Sequence, residues 1–166
     1  MRTFCVHPLA ISVLSVVALA QGCASAVANG RERRAPTEPR APGAWDPDRI
    51  AWQEINPDGT KYALLEGRRD RPGEAFTYAF FIPAGVWDRA HWHSADARVV
   101  VVRGVLRLGY GDSLDVAATR EYPLGSYLLV PAETHHFDGA DVDTIIIGTA
   151  TGPWETHYVR DTKRGE

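Results

Sequence analysis

The chain has 166 residues, 45% hydrophobic and 23% charged, which is the length of one domain with enough apolar side chains for one core. Its net charge is -3 and its positive residues are scattered or gathered in the N-terminal third, so no basic stripe tracks a phosphate backbone and nucleic acid is excluded as a partner. The two cysteines, Cys5 and Cys23, both lie in the first stretch of the chain, which excludes thiol redox chemistry, internal disulfides and cysteine metal sites from the rest.

In chain order, Met1 and Arg2 precede an apolar run from Leu9 to Ala20 that is too short to span a bilayer comfortably and reads as a secretory signal. The run ends in Leu19-Ala20-Gln21-Gly22-Cys23, which resembles a bacterial lipobox. That resemblance implies a signal peptide over 1–22, lipidation of Cys23, and a periplasmic or outer-membrane-anchored protein that meets the membrane through its lipid alone. Cleavage at Ala24-Ser25-Ala26, releasing a soluble exported protein, is the alternative. Residues 23–48 are rich in Pro and Arg, with little large and apolar before Trp45, and cannot bury enough surface to offset their ordering entropy. They read as a disordered tether.

A domain over 49–160 follows, with a tail over 161–166. Its β-prone runs are cut at short intervals by Gly, Pro, Asn and Asp, without sustained helical periodicity. Strands are expected at Ile50 to Ile55, Lys61 to Leu65, Phe76 to Ile82, Val86 to His93, Ala97 to Val102, Val105 to Tyr110, Ser126 to Val130 and Thr144 to Thr149, with another at Trp154 to Val159. Asn56-Pro57-Asp58-Gly59 signals a turn and Arg103-Gly104 a tight hairpin. A short helix is expected within Ser113 to Thr119. Many short strands with regular turns make an all-β sandwich or barrel.

The histidines carry the chemistry. His91 and His93 lie two apart on an expected strand, so their imidazoles share one face at a spacing that suits a metal. Two solvated or hydrogen-bonding histidines are the plain alternative. Gly85 precedes His91 by six positions and Gly104 closes the following hairpin, while Gly125, Pro131 and His136 repeat a similar cadence downstream.

These two groups resemble the signature motifs of the cupin superfamily, G-x5-H-x-H-x3,4-E-x6-G and G-x5-P-x-G-x2-H-x3-N. The Gly152-Pro153-Trp154 tail followed by Tyr158 is similar to that of small single-domain RmlC-like cupins of unknown function. The resemblance implies a jelly-roll β-barrel, and His91, His93 and His136 as ligands of a divalent Fe, Mn, Ni or Zn ion. It also implies a small-molecule ligand and a homodimer formed through edge strands. His135 is one residue off and is expected on the other face.

The chain departs from the pattern at the glutamate, whose position holds Ala97 or Arg98, neither of which can bind a cation. Ala97, Val99 and Val101 are expected to point inward and Arg98 outward into solvent. Three readings stay open: three neutral histidines keep the metal, as in the thiol dioxygenase branch; Asp96 reaches in from the loop as an acidic ligand; or the site binds metal weakly or not at all. Without an anionic ligand the site is more positive and favours an anionic molecule. Glu133 stands where the second motif has glycine, at a turn where a side chain resists the backbone angles. Phe76, Tyr78 and Phe80 alternate along one strand as core or as pocket lining. The function expected is that of an exported metal-binding cupin, oxygenase- or isomerase-like; the alternative is a non-catalytic module that binds or senses a small ligand.

Overall fold

A computed structural model describes residues 42–160; the expected signal, Cys23, most of the expected tether and the expected tail lie outside them. The described chain is almost all β. Eleven strands form two antiparallel sheets: β1 (Glu54–Ile55), β2 (Lys61–Glu66), β3 (Ala75–Ile82), β4 (Trp87–His93), β5 (Ala97–Arg103), β6 (Val105–Tyr110), β7 (Arg120–Pro123), β8 (Tyr127–Val130), β9 (His136–Gly139), β10 (Thr144–Thr151) and β11 (Thr156–Tyr158). One sheet runs β1-β2-β3-β10-β5-β8 and the other β11-β4-β9-β6-β7. This is a jelly roll. The helix expected after β6 is a single 3-10 turn, Val116–Ala118, started by the Asp115 carboxylate, which accepts from the Ala117 N–H at 3.0 Å.

Alternation fixes what each sheet turns inward. On β5 the odd positions are buried, Ala97 at 3%, Val99 at 6% and Val101 at 0% exposure, while Arg98 is exposed beside Asp96. Phe76, Tyr78, Ile82, Leu106, Leu108, Leu128, Val130 and Ile146 join these residues in one core between the sheets. The six-stranded sheet is covered on its outer face too. Ile50 and Trp52, from the segment before β1, pack with Ala63, Ala79 and Ile145 in a second small cluster. The expected first strand, Ile50 to Ile55, is therefore strand only at Glu54–Ile55, because its apolar part packs down on the sheet instead of pairing along it.

The hairpin between β5 and β6 turns on Gly104 at φ 73°, where a Cβ would stand 2.4 Å from the Asp143 carbonyl oxygen. Gly148 on β10 makes room for the Tyr78 ring, whose Cζ would be 2.2 Å from a Cβ there. Two strands go beyond the expectation. β7 reads Arg-Glu-Tyr-Pro and is an exposed edge, and β9 reads His-Phe-Asp-Gly, whose Asp-Gly has the look of a turn although the strand sits between β4 and β6.

Candidate metal centre

The five-stranded sheet carries the histidines. His91 and His93 sit on β4 and His136 on β9, with His91 directly paired to His136 in the ladder. The ligand atoms of the three imidazoles all lie within 4.8 Å of one another. Ring centroids are 4.3 Å apart for His91 and His136, and 5.1 Å for His93 with either partner. His91 and His136 are buried at 3% exposure each.

Backbone carbonyls orient two of these rings. His91 Nδ1 donates to the Arg89 carbonyl at 2.8 Å and His136 Nδ1 to the Thr134 carbonyl at 2.8 Å. A carbonyl can only accept, so in each neutral ring the proton is on Nδ1 and Nε2 keeps its lone pair, the tautomer a metal ligand requires. His93 is fixed differently: its Nδ1 is 3.2 Å from the Thr156 hydroxyl, and its ring stacks on Trp154 at 4.1 Å. Burial, with the neighbouring His91 and His136, pushes the His93 pKa down to about 3, and burial followed by His91 lowers that of His136. Neutral imidazoles offered together in a buried cluster are the donor set that zinc and the first-row divalent metals accept.

The histidines open into a cavity of about 240 Å³ between the sheets. Its opposite wall is apolar and includes Ala97, Val99, Leu128, Val130 and Ile146, with Tyr78 and Phe80 beside them. Ala97 thus faces the cavity with a methyl group where the motif has a carboxylate. Asp96 does not reach in. Its Oδ1 accepts from the Ala132 N–H at 3.0 Å, its Oδ2 lies 3.5 Å from Arg98, and it is not among the cavity's lining residues. Glu133 takes the left-handed backbone at φ 59° that its motif position demands, and its N–H donates to the His93 carbonyl at 2.9 Å. The loop keeps its geometry without glycine. His135 faces away from the cluster and pairs with Asp112 at 2.6 Å.

Four polar groups among those lining this cavity are not assigned to the site by the sequence. Asp138 follows His136 by two positions on β9 and therefore shares its face, with Oδ2 3.8 Å from His91 Nε2. Burial, reinforced by the charge of Asp88 and opposed by His136, pushes the Asp138 pKa up to about 6. Asp88 lies three positions before His91, an odd spacing that alternation would send to the other face. A β-bulge between Asp88 and His91 restores it to the cavity, opposite Asp138 in the ladder. The Tyr158 hydroxyl donates to Asp88 at 3.2 Å. The fourth is Arg69, on the β2–β3 connection, whose Nε donates to the Trp154 carbonyl at 2.9 Å and whose guanidinium lies 4.9 Å from the Trp154 ring centre. Among the described residues it pairs with no carboxylate. An H-x-D on the second-motif strand was the one signal available for Asp138, and nothing local marked Arg69.

Comparison with known proteins agrees on the architecture. No family model matches the chain, and no curated protein matches it in sequence. Solved structures do match in fold. An RmlC-like cupin from Shewanella frigidimarina aligns at 16% identity and a TM-score of 0.52, covering 67% of this chain and 91% of that one. The polyketide cyclase RemF from Streptomyces resistomycificus aligns at 16% and 0.52 over 63% and 73%. KdgF from Halomonas aligns at 16% and 0.50 over 66% and 94%. The chain has the cupin fold, a single jelly-roll barrel with three convergent histidines inside.

Proposed function

We propose that His91, His93 and His136 hold a divalent iron, manganese, nickel or zinc ion, and that the protein binds a small anionic molecule in the adjoining cavity and acts on it with oxygenase- or isomerase-type chemistry. The observation that carries this reading is the convergence of three imidazoles on a cavity of about 240 Å³. The metal, when bound, supplies Lewis acidity and open coordination positions. The chain supplies the rest. Arg69, oriented by the Trp154 carbonyl, offers its remaining donors to a carboxylate, and Val99, Leu128 and Ile146 receive an apolar body while excluding water. The test is calorimetric titration of the metal-loaded protein with small carboxylates and their amides. Carboxylates bind at least tenfold more tightly, and R69Q removes the difference; equal binding of the amides contradicts the anionic reading.

The second reading is a non-catalytic module that binds or senses a small ligand, favoured by Ala97 in the place of the motif's glutamate. Under it the same ligands bind but no turnover accompanies them.

For location we propose export and anchoring through Cys23, with 1–22 as a lipoprotein signal and 23–48 as the tether. The support is the Met1-Arg2 start, the apolar run and the Gly22-Cys23 junction in the sequence. Cys23→Ala moves the protein from the membrane to the soluble fraction; unchanged membrane association overturns the anchor.

A further inference from the structure

We infer that Asp138 supplies the anionic ligand that Ala97 cannot, so that the site takes its carboxylate from the second-motif strand β9 and from the sheet that bears the histidines. The inference rests on the proposed metal centre and deepens it.

Asp138 and His91 face each other as acceptors. In the Nδ1–H tautomer that donates to the Arg89 carbonyl, His91 Nε2 carries a lone pair, and the nearest oxygen of Asp138 stands 3.8 Å away. Two such atoms repel unless a positive charge lies between them. Ligands bound about 2.1 Å from one ion are separated by roughly 3 Å when adjacent and roughly 4.2 Å when opposite, and 3.8 Å from His91 falls inside that range. Asp138 stands outside the 4.8 Å set of the three imidazoles, so its side chain turns toward them to share the ion. The carboxylate also lacks other support. Among the described residues no N–H or O–H donates to it, although its side chain is only 21% exposed and lines the cavity. A carboxylate so enclosed is costly without a cation or donors to satisfy it. Its neighbour Asp88 is satisfied by Tyr158 and adds a second negative charge beside it.

Strand geometry makes the substitution possible. Two-residue spacing puts Asp138 on the face of His136, and the bulge on β4 brings Asp88 level with it. The consequence is a one-sided centre: every ligand comes from β4 and β9, and the opposite wall from Ala97 to Val130 is left free for a ligand's apolar part.

The test titrates the full chain with Co²⁺ alone after removal of other metals, following chelator competition and the visible spectrum. D138N weakens Co²⁺ binding by about 100-fold and changes the ligand-field bands, while D138E retains binding within about tenfold. D138C places a thiol at the same position and gives a sulfur-to-cobalt charge-transfer band absent from the parent protein, a signature that reports contact with the metal even if D138N folds poorly. Unchanged affinity and spectrum in D138N, or a D138C spectrum without the new band, overturns the inference while leaving the three-histidine centre standing. A parent chain that binds no Co²⁺ overturns the metal centre itself.

Discussion

The two walls of the cavity are built from the same kind of strand and do opposite work. The wall from β4, β9 and β11 presents His91, His93, His136, Asp88, Asp138 and Tyr158. The wall from β5, β8 and β10 presents Ala97, Val99, Leu128, Val130 and Ile146. In the cupin motif the glutamate is on the strand corresponding to β5, so both walls would contribute ligands. Here the three histidines and both cavity aspartates lie on one sheet. The lesson is that a missing ligand in one motif does not by itself mark a dead site; the face opposite has to be read for a group at matching depth.

The comparison can be broken most forcefully at Trp154, which joins the walls through its stack on His93 at 4.1 Å and its contacts with Phe76 and Tyr78 at 5.9 and 5.4 Å. Trp154→Ala costs about 3–5 kcal/mol of stability in denaturant unfolding, as for other buried aromatic truncations, and leaves metal stoichiometry at the parent value. A loss below about 1 kcal/mol would mean that the tail does not hold the walls together.

A smaller effect belongs to pH. The His93 pKa is depressed to about 3 in the folded chain from an ordinary 6.5, so between those limits the unfolded chain binds the extra proton and stability is lost as pH falls. Asp138, raised to about 6 from 3.8, works the other way between those values, because there the folded chain binds the extra proton and stability falls as pH rises. Between about pH 3.8 and 6 these two slopes offset each other, and the lowered His136 tips the metal-free protein toward weakening on acidification; H93N removes the His93 share, up to about 1.4 kcal/mol per pH unit. Parallel melting-temperature curves for parent and H93N contradict the buried, neutral His93.

The smallest effects are on the outside. His135→Ala and Arg98→Ala change stability by at most about 0.5 kcal/mol and leave metal content unaltered, since both side chains lie on surface pairs away from the cavity. A loss of metal in either variant would mean that the two faces of the strands have been assigned the wrong way round.

Much of this was legible in the sequence. Alternation put His91 with His93, separated His135 from His136, and sent Ala97 and Val99 inward and Arg98 out, because period-two geometry holds wherever a strand is regular. It failed where the strand is not: Asp88 is an odd three positions from His91 and reaches the cavity only through a bulge, which the sequence does not announce. β9 was hidden by its Asp-Gly, whose local turn preference is overridden by pairing on both sides with β4 and β6. Without a strand at 136–139 in the sequence pattern Asp138 has no face, which leaves Asp96 in the loop as the candidate carboxylate. Arg69 could not be found locally, since the Trp154 carbonyl that orients it lies 85 residues away.

The central claim is that three histidines converge to hold one metal ion, and elemental analysis of the purified, metal-replete chain beside His91→Ala and His136→Ala tests it most directly. The account predicts close to one divalent ion per parent chain and a near-complete loss in both variants. A parent chain that is metal-free, or variants that keep the parent's metal, would contradict it.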